Sequence, residues 1–298
     1  MDCLVARILG RLRPLCLTIL CLAGAVAVPA QAQPFVFTAI PDQDERHLTE
    51  RFGKIADYLS DKLGVEVEYI PVKSYPAAVS AFRNDQVQLA WFGGLTGVQA
   101  RELVPNSEAI AQGKEDTEFV SYIIAHTSTG LERSEQLPTE LAGKRFTFGD
   151  KGSTSGRLMP EFFLREHYGK APNELFSRVG FSGDHNRTIS LVQSGAFEVG
   201  ALNYAVWDAE LAKGNIDTSK VKVIWASPSY PDYQWTIRGD VDARFGSGFK
   251  DKVQQALLDM TDPALLAAFP RSGFVKATNQ DYSPIRDTAV AIGIMDDK

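Results

Sequence analysis

Apolar residues recur along this chain at two alternating periods. Phe35-Val36-Phe37-Thr38-Ala39-Ile40 is a nearly unbroken apolar run of strand length, and Pro41-Asp42-Gln43-Asp44-Glu45 is its polar exit. Leu48, Phe52, Ile55, Leu59 and Leu63 then follow at steps of three or four, which is one face of a helix. Asp42 and Glu45 have capping-box spacing at its start, and Gly64 suits its C-terminal stop. Residues 65–72 alternate like a strand. Tyr75-Pro76 opens a second helix through Phe82, with proline in the tolerated first turn, and residues 87–92 form another apolar strand that runs into Gly93-Gly94. The order β-α-β-α-β predicts parallel strands joined by helical crossovers.

The second half repeats this grammar. Residues 120–125 and 145–148 predict strands, 149–156 a loop, and 158–168 a helix closed by Gly169. Helix is expected again at 188–193, extended chain at 198–202, strands at 221–225 and 234–238, and helices at 249–260 and 263–269. No repeat, low-complexity run or proline-rich linker divides the chain. Two α/β halves without a linker predict halves that share hinge strands and do not simply follow one another.

Composition enters next. The chain has 298 residues, 44% hydrophobic and 23% charged, which is globular, with a net charge of −6 that disfavours a nucleic-acid partner. The first 32 residues stand apart. Arg7, Arg11 and Arg13 precede an apolar run at 15–28 and then Pro29-Ala30-Gln31-Ala32. This is the pattern of a secretory signal with cleavage after Ala32, and the run is short of the ~20 residues a membrane span needs. Leu20 before Cys21 opposes lipidation there. Cleavage would leave 266 residues with a net charge of −8 and none of the three cysteines, Cys3, Cys16 and Cys21. The expectation is an exported, acidic, monomeric periplasmic protein stabilised by its own core. With no cysteine left, and His47, His126 and His167 lacking paired spacing, neither a metal nor another cofactor is expected.

The loop Asp150-Lys151-Gly152-Ser153-Thr154-Ser155-Gly156 lies between a predicted strand and helix. Two glycines and three hydroxyls at a helix start make an anion cradle, or else a plain helix cap. No lysine follows in P-loop position, and the centre of Gly152–Gly156 is Thr154 where a hydrolase elbow needs serine. Phe181-Ser182-Gly183-Asp184-His185-Asn186 is a second strand-to-helix loop, in which His185 alone reads as a surface or capping histidine. Tyr75 and Trp91-Phe92 put aromatics at strand ends, where core packing is the default. The carboxylates Asp42, Asp44, Asp208 and Asp232 are solvated or capping groups by default. Yet ligands of open α/β sheets bind outside the carboxyl ends of the strands, where these loops gather.

With Lys73-Ser74-Tyr75-Pro76, Ala90-Trp91-Phe92-Gly93-Gly94, Ser153-Thr154-Ser155-Gly156 and Ser182-Gly183-Asp184-His185 in view, the chain resembles the phosphonate/phosphite-type substrate-binding proteins of ABC importers over nearly all of residues 33–298. The resemblance implies an α/β, two-lobed, type II periplasmic binding fold, each lobe a mixed sheet flanked by helices with ligand in the interlobe cleft. It implies one lobe of 33–126 plus 231–298 and another of 127–230. By position it places oxyanion anchors on Ser153, Thr154, Ser155 and His185, and aromatic wall residues on Tyr75 and Phe119, the latter standing where the family has tyrosine; Trp91 is a further candidate ligand contact. An acidic acceptor falls on Asp232. In the stretch Leu202-Asn203-Tyr204-Ala205, Asn203 lines the site and no acid stands ready for a ligand amine, which favours a simple oxyanion. Ile40-Pro41-Asp42-Gln43-Asp44-Glu45 resembles a subgroup labelled selenate-binding. The implied partners are a small oxyanion (phosphonate, phosphite, phosphate or selenate-like) and an inner-membrane permease, with no catalysis. An organic sulfonate, a vitamin precursor, a sensor-kinase partner and an exported hydrolase are the competing readings.

Overall fold

Side-chain period determines most elements, and burial trims their ends. The computed structural model describes residues 33–269 and 271–297, so the expected export signal at 1–32 lies outside it. The first strand, β1 (Phe35–Ala39), leads into α1 (Glu45–Leu63), where Leu48, Phe52, Ile55, Leu59 and Leu63 are all buried. Gly64 closes α1 in the left-handed conformation at φ 70°. The cap differs from expectation: Asp44 accepts the His47 N–H, and Asp42 is instead drawn into the interior. There follow β2 (Val67–Tyr69), α2 (Tyr75–Arg83), β3 (Leu89–Phe92), α3 (Gly94–Leu103), β4 (Glu108–Gly113), β5 (Ser121–His126), β6 (Arg145–Phe148), α4 (Met159–Tyr168) and α5 (Pro172–Leu175). The chain continues through β7 (Arg178–Phe181), α6 (His185–Gln193), β8 (Val199–Asn203), α7 (Tyr204–Ala212), β9 (Val221–Ala226) and β10 (Gln234–Ile237). It ends with α8 (Val241–Phe245), α9 (Phe249–Leu258), α10 (Pro263–Ala268), β11 (Phe274–Lys276) and α11 (Ser283–Ala291).

Two sheets result, of order β11-β4-β10-β3-β1-β2 and β7-β6-β8-β5-β9. The parallel strands predicted for the first half pair as expected, β1 with β2 and with β3. Each sheet also receives one antiparallel insert from the other half of the chain: β10 lies between β3 and β4, and β5 between β8 and β9. The chain therefore crosses between sheets twice, at 114–120 and 227–233. The two crossovers pair with each other through mutual Phe119–Tyr230 backbone bonds of 2.9 Å.

That crossing is pinned by a buried ion pair. Arg271 Nη2 and Nε donate to the two carboxylate oxygens of Asp116 at 2.7 and 2.8 Å, and Asp116 Oδ2 also accepts the Gly113 N–H at 3.0 Å. The guanidinium lies 5.5 Å from the Phe119 ring and 5.4 Å from the Tyr233 ring. Gly113 is required here, because a Cβ would overlap the Asp116 carboxylate. Asp116→Ala removes one partner of a buried pair, which costs about 3–5 kcal/mol. Since each kcal/mol shifts melting by roughly 2–4 °C in a domain of this size, melting about 10 °C lower is expected. An unchanged thermal unfolding midpoint would refute this anchoring role.

Candidate ligand-binding site

The ends of five strands converge: β1, β3, β6, β7 and β8 all deliver loops to one place between the sheets. After β6, Ser153 Oγ accepts the Gly156 N–H at 2.9 Å, and Thr154 begins a wide π-type turn that flows into α4. Helix starts carry unpaired N–H groups and positive potential, and π-type turns recur at functional sites. Glycine at 156 permits a close approach, since a Cβ there would lie 2.9 Å from Ser153 Oγ and 3.1 Å from His185 Cε1.

His185 is the first residue of α6, capped by Asp184, and it is completely buried. The Asn203 N–H donates to its Nδ1 at 3.4 Å, so Nδ1 is an acceptor and the proton of the neutral ring sits on Nε2. Burial pushes its pKa down to about 3, so the imidazole stays neutral. Opposite stands Asp232, 1% exposed, whose Oδ1 accepts the Gly94 N–H of α3 at 2.9 Å. Burial raises its pKa to about 7, against the pull of Gly94 N–H and Thr154. Thr154 Oγ1 accepts the Leu95 N–H at 3.0 Å, which ties the α3 start to the β6 loop.

Three atoms in this cluster, Ser155 Oγ, His185 Nε2 and Asp232 Oδ2, are buried without a hydrogen-bond partner among the described residues. They are one hydroxyl, one N–H donor, and one carboxyl oxygen able to accept or, when protonated, to donate. That set fits a small oxyanion carrying a proton. Asp42 Oδ1 is likewise buried and unpartnered.

The structure brings Tyr75, Ser153, Thr154, Ser155, His185 and Asp232 together. Tyr75 is buried at the start of α2, and a Cβ at Gly152 would sit 3.2 Å from its Cβ. The other three named residues are held by neighbours. Trp91 stacks on Tyr233 at 5.5 Å, and Phe119 packs edge-on against Tyr204 at 4.8 Å. Asn203 Oδ1 caps α7, accepting the Ala205 N–H at 2.7 Å, while its Nδ2 donates to the Tyr233 hydroxyl at 3.0 Å. The default readings of Asp42, Asp232 and His185 as exposed groups or simple caps are corrected, since all three are interior; Asp232 does cap α3 but keeps a second oxygen free. Asp42 and Tyr233 are the polar residues this reading missed. Their sequence signal was only position, after β1 and beside the second crossover.

A family model described as the periplasmic substrate-binding protein of a phosphonate ABC transporter matches residues 37–282, and the chain belongs to that family. Its fold is the type II periplasmic binding fold. The chain is 41% identical over 256 residues to the probable ABC transporter phosphite binding protein PhnD1 of Prochlorococcus marinus, covering 84% of this chain and 86% of that protein. The solved structure of PhnD1 in complex with methylphosphonate aligns with a TM-score of 0.84 at 40% identity, covering 88% of this chain and all of that one. A binding protein component of an ABC phosphonate transporter from Pseudomonas aeruginosa aligns at 0.75 with 22% identity, over 87% and 86% of the two chains, and bears on the fold alone.

The raised pKa of Asp232 has a definite sign. The folded protein holds a proton there that the unfolded chain releases near its ordinary value of 3.8, so this group lowers stability as pH climbs from about 4 to 7. Asp232→Asn keeps an acceptor for Gly94 and removes the buried charge. It is expected to raise the ligand-free melting temperature at pH 8 and to change it little at pH 4; equal effects at both would contradict the raised pKa.

Proposed function

We propose that this chain is the exported capture component of an ABC importer, taking a small phosphorus oxyanion such as phosphite or methylphosphonate and passing it to an inner-membrane permease. The observation that carries this reading is the convergence of Ser155 Oγ, His185 Nε2 and Asp232 Oδ2, buried together and unpartnered. In this reading Ser155 and His185 donate to ligand oxygens, while Asp232 shares one proton with the ligand. Above about pH 7, where Asp232 is ionised, it has no proton to share with a fully ionised selenate or sulfate and repels it, so protonatable ligands are preferred there. Each charge-assisted hydrogen bond contributes about 1.5–3 kcal/mol, so a few suffice for tight capture once closure costs are met. Family membership and the relative PhnD1, named for phosphite and solved with methylphosphonate, support the ligand class.

The ligand would lie between a lobe built on the first sheet (33–120 plus 231–298) and one built on the second (121–230), with the paired crossovers as hinge; the boundary falls at 120 and not at the expected 126 because β5 (Ser121–His126) lies in the second sheet. Sorting of β1–β4, β10 and β11 from β5–β9 into separate sheets supports that division. The residues proposed to touch ligand are Tyr75, Ser153, Thr154, Ser155, His185 and Asp232, with Trp91, Phe119 and Asn203 behind them. No catalytic role is proposed. Calorimetric titration with phosphite, methylphosphonate, phosphate, selenate and sulfate tests the reading, and heat from selenate or sulfate alone would overturn it.

The hydroxyls separate binding from architecture. Ser155 Oγ bonds nothing within the described residues, so Ser155→Ala is expected to weaken methylphosphonate binding about tenfold with ligand-free melting nearly unchanged. Thr154→Ala also breaks the Leu95 bond and is expected to lower both. Affinity should fall as pH rises above about 7, where the shared proton is lost; a flat profile to pH 9 would contradict the role given to Asp232.

A further inference from the structure

The segment Ile40-Pro41-Asp42-Gln43-Asp44-Glu45 resembles that of a subgroup, and the oxyanion cluster does not use it. Asp44 caps α1, but Asp42 is 4% exposed and lies at the origin and the end of a closed hydrogen-bond circuit. Its carboxylate Oδ2 accepts from the Tyr233 hydroxyl at 2.9 Å. That hydroxyl accepts from Asn203 Nδ2 at 3.0 Å, the Asn203 N–H donates to His185 Nδ1 at 3.4 Å, and the His185 N–H returns to the Asp42 carbonyl at 3.1 Å. Asp42, Tyr233, Asn203 and His185 are all buried, so water does not compete with these bonds.

The direction of the circuit is determined. Asn203 Oδ1 is committed to the N–H groups of Ala205 and Val206, which leaves Nδ2 as the group that meets Tyr233. The single Tyr233 proton then has to go to Asp42. A backbone N–H, which cannot change character, faces His185 Nδ1. The imidazole thereby keeps its proton on Nε2, the atom buried without a partner among the described residues. At 3.4 Å the Asn203–His185 contact is near the limit of a hydrogen bond, so it depends on how the end of β8 sits against the start of α6. Both of those ends are tied to Asp42, one through Tyr233 and one directly.

We propose that Asp42 and Tyr233 are positioning residues for oxyanion binding: through Asn203 they hold His185 in the Nε2–H tautomer with its donor aimed at the ligand. This rests on the function proposed above, but its primary readout needs no ligand. Long-range proton–nitrogen NMR of the ligand-free, nitrogen-15-labelled protein identifies which ring nitrogen of His185 is protonated. Wild type is expected to show protonated Nε2 and bare Nδ1, and Tyr233→Phe a mixture of tautomers. Tyr233→Phe is also expected to bind methylphosphonate about tenfold more weakly. Asp42→Ala should behave alike, whereas Asp42→Asn, which retains an acceptor oxygen for Tyr233, should keep the wild-type signature. A protonated Nδ1 in wild type, or an unchanged His185 signature in both Tyr233→Phe and Asp42→Ala, overturns the proposal. Changed tautomers with undiminished methylphosphonate affinity overturn its link to binding. Wild type that binds no oxyanion, yet loses the Nε2–H signature in Tyr233→Phe, instead overturns the functional reading and supports the circuit.

Discussion

Burying Ser155 Oγ, His185 Nε2 and Asp232 Oδ2 without partners among the described residues costs free energy that a hydrogen-bonding ligand would return. Each group could be satisfied in water. Enclosed, a lone hydroxyl or carboxyl oxygen costs on the order of 1–3 kcal/mol, and the cost rises for a charge. The His185 ring responds by staying neutral and Asp232 by holding its proton up to about pH 7. Under the proposed reading these same shifts suit a ligand that brings negative charge and shares one proton with Asp232. Under that reading no lysine or arginine need touch the ligand, because local donors would do the attracting in a chain that is acidic overall.

The surrounding architecture keeps those groups from relaxing. Parallel strands put their carboxyl ends, and hence their loops, on one side, and the exchange of β5 and β10 between sheets locks the two sets of loops face to face. The start of α3 is tied to both, through Gly94 to Asp232 and through Leu95 to Thr154. Behind them the Asp116–Arg271 pair holds the crossing strands, and the Asp42 circuit holds His185. Side chains that make no expected ligand contact thus govern where the contacting ones point.

Much of this was legible from residue order. The steps between Leu48 and Leu63, the cap at Gly64, the strand at 145–148 and the helix closed by Gly169 appear as read. The 153–155 loop, His185 and Asp232 do come together. Five helices escaped, two of which, α5 and α8, are only four and five residues long. In α3, Gly94, Leu95, Thr96, Gly97, Val98 and Ala100 are all buried, so no polar face marks the period. Gly97 looks like a breaker but is there because a Cβ would strike the Gln234 side chain. The run of α7 is apolar on most sides and Tyr204 hides its start, while α11 begins at Ser283-Pro284 without a side-chain cap. The strand read at 65–72 shrinks to Val67–Tyr69, the residues that pair in register with β1.

Sequence by itself determined the alternation of strand and helix, the family, and which loops carry hydroxyls, imidazole and carboxylate, since these follow from side-chain period and residue type. It could not say which carboxylates are buried. Asp42 and Asp44 stand two residues apart, yet one caps a helix in solvent and the other closes a circuit in the interior. Nor could it say that Thr154 is committed to a backbone N–H while Ser155 beside it is not. Those distinctions depend on partners 59 residues away for Thr154 and 191 for Asp42. Burial and hydrogen-bond pairing are properties of what the fold brings near, so only the tertiary structure decided them.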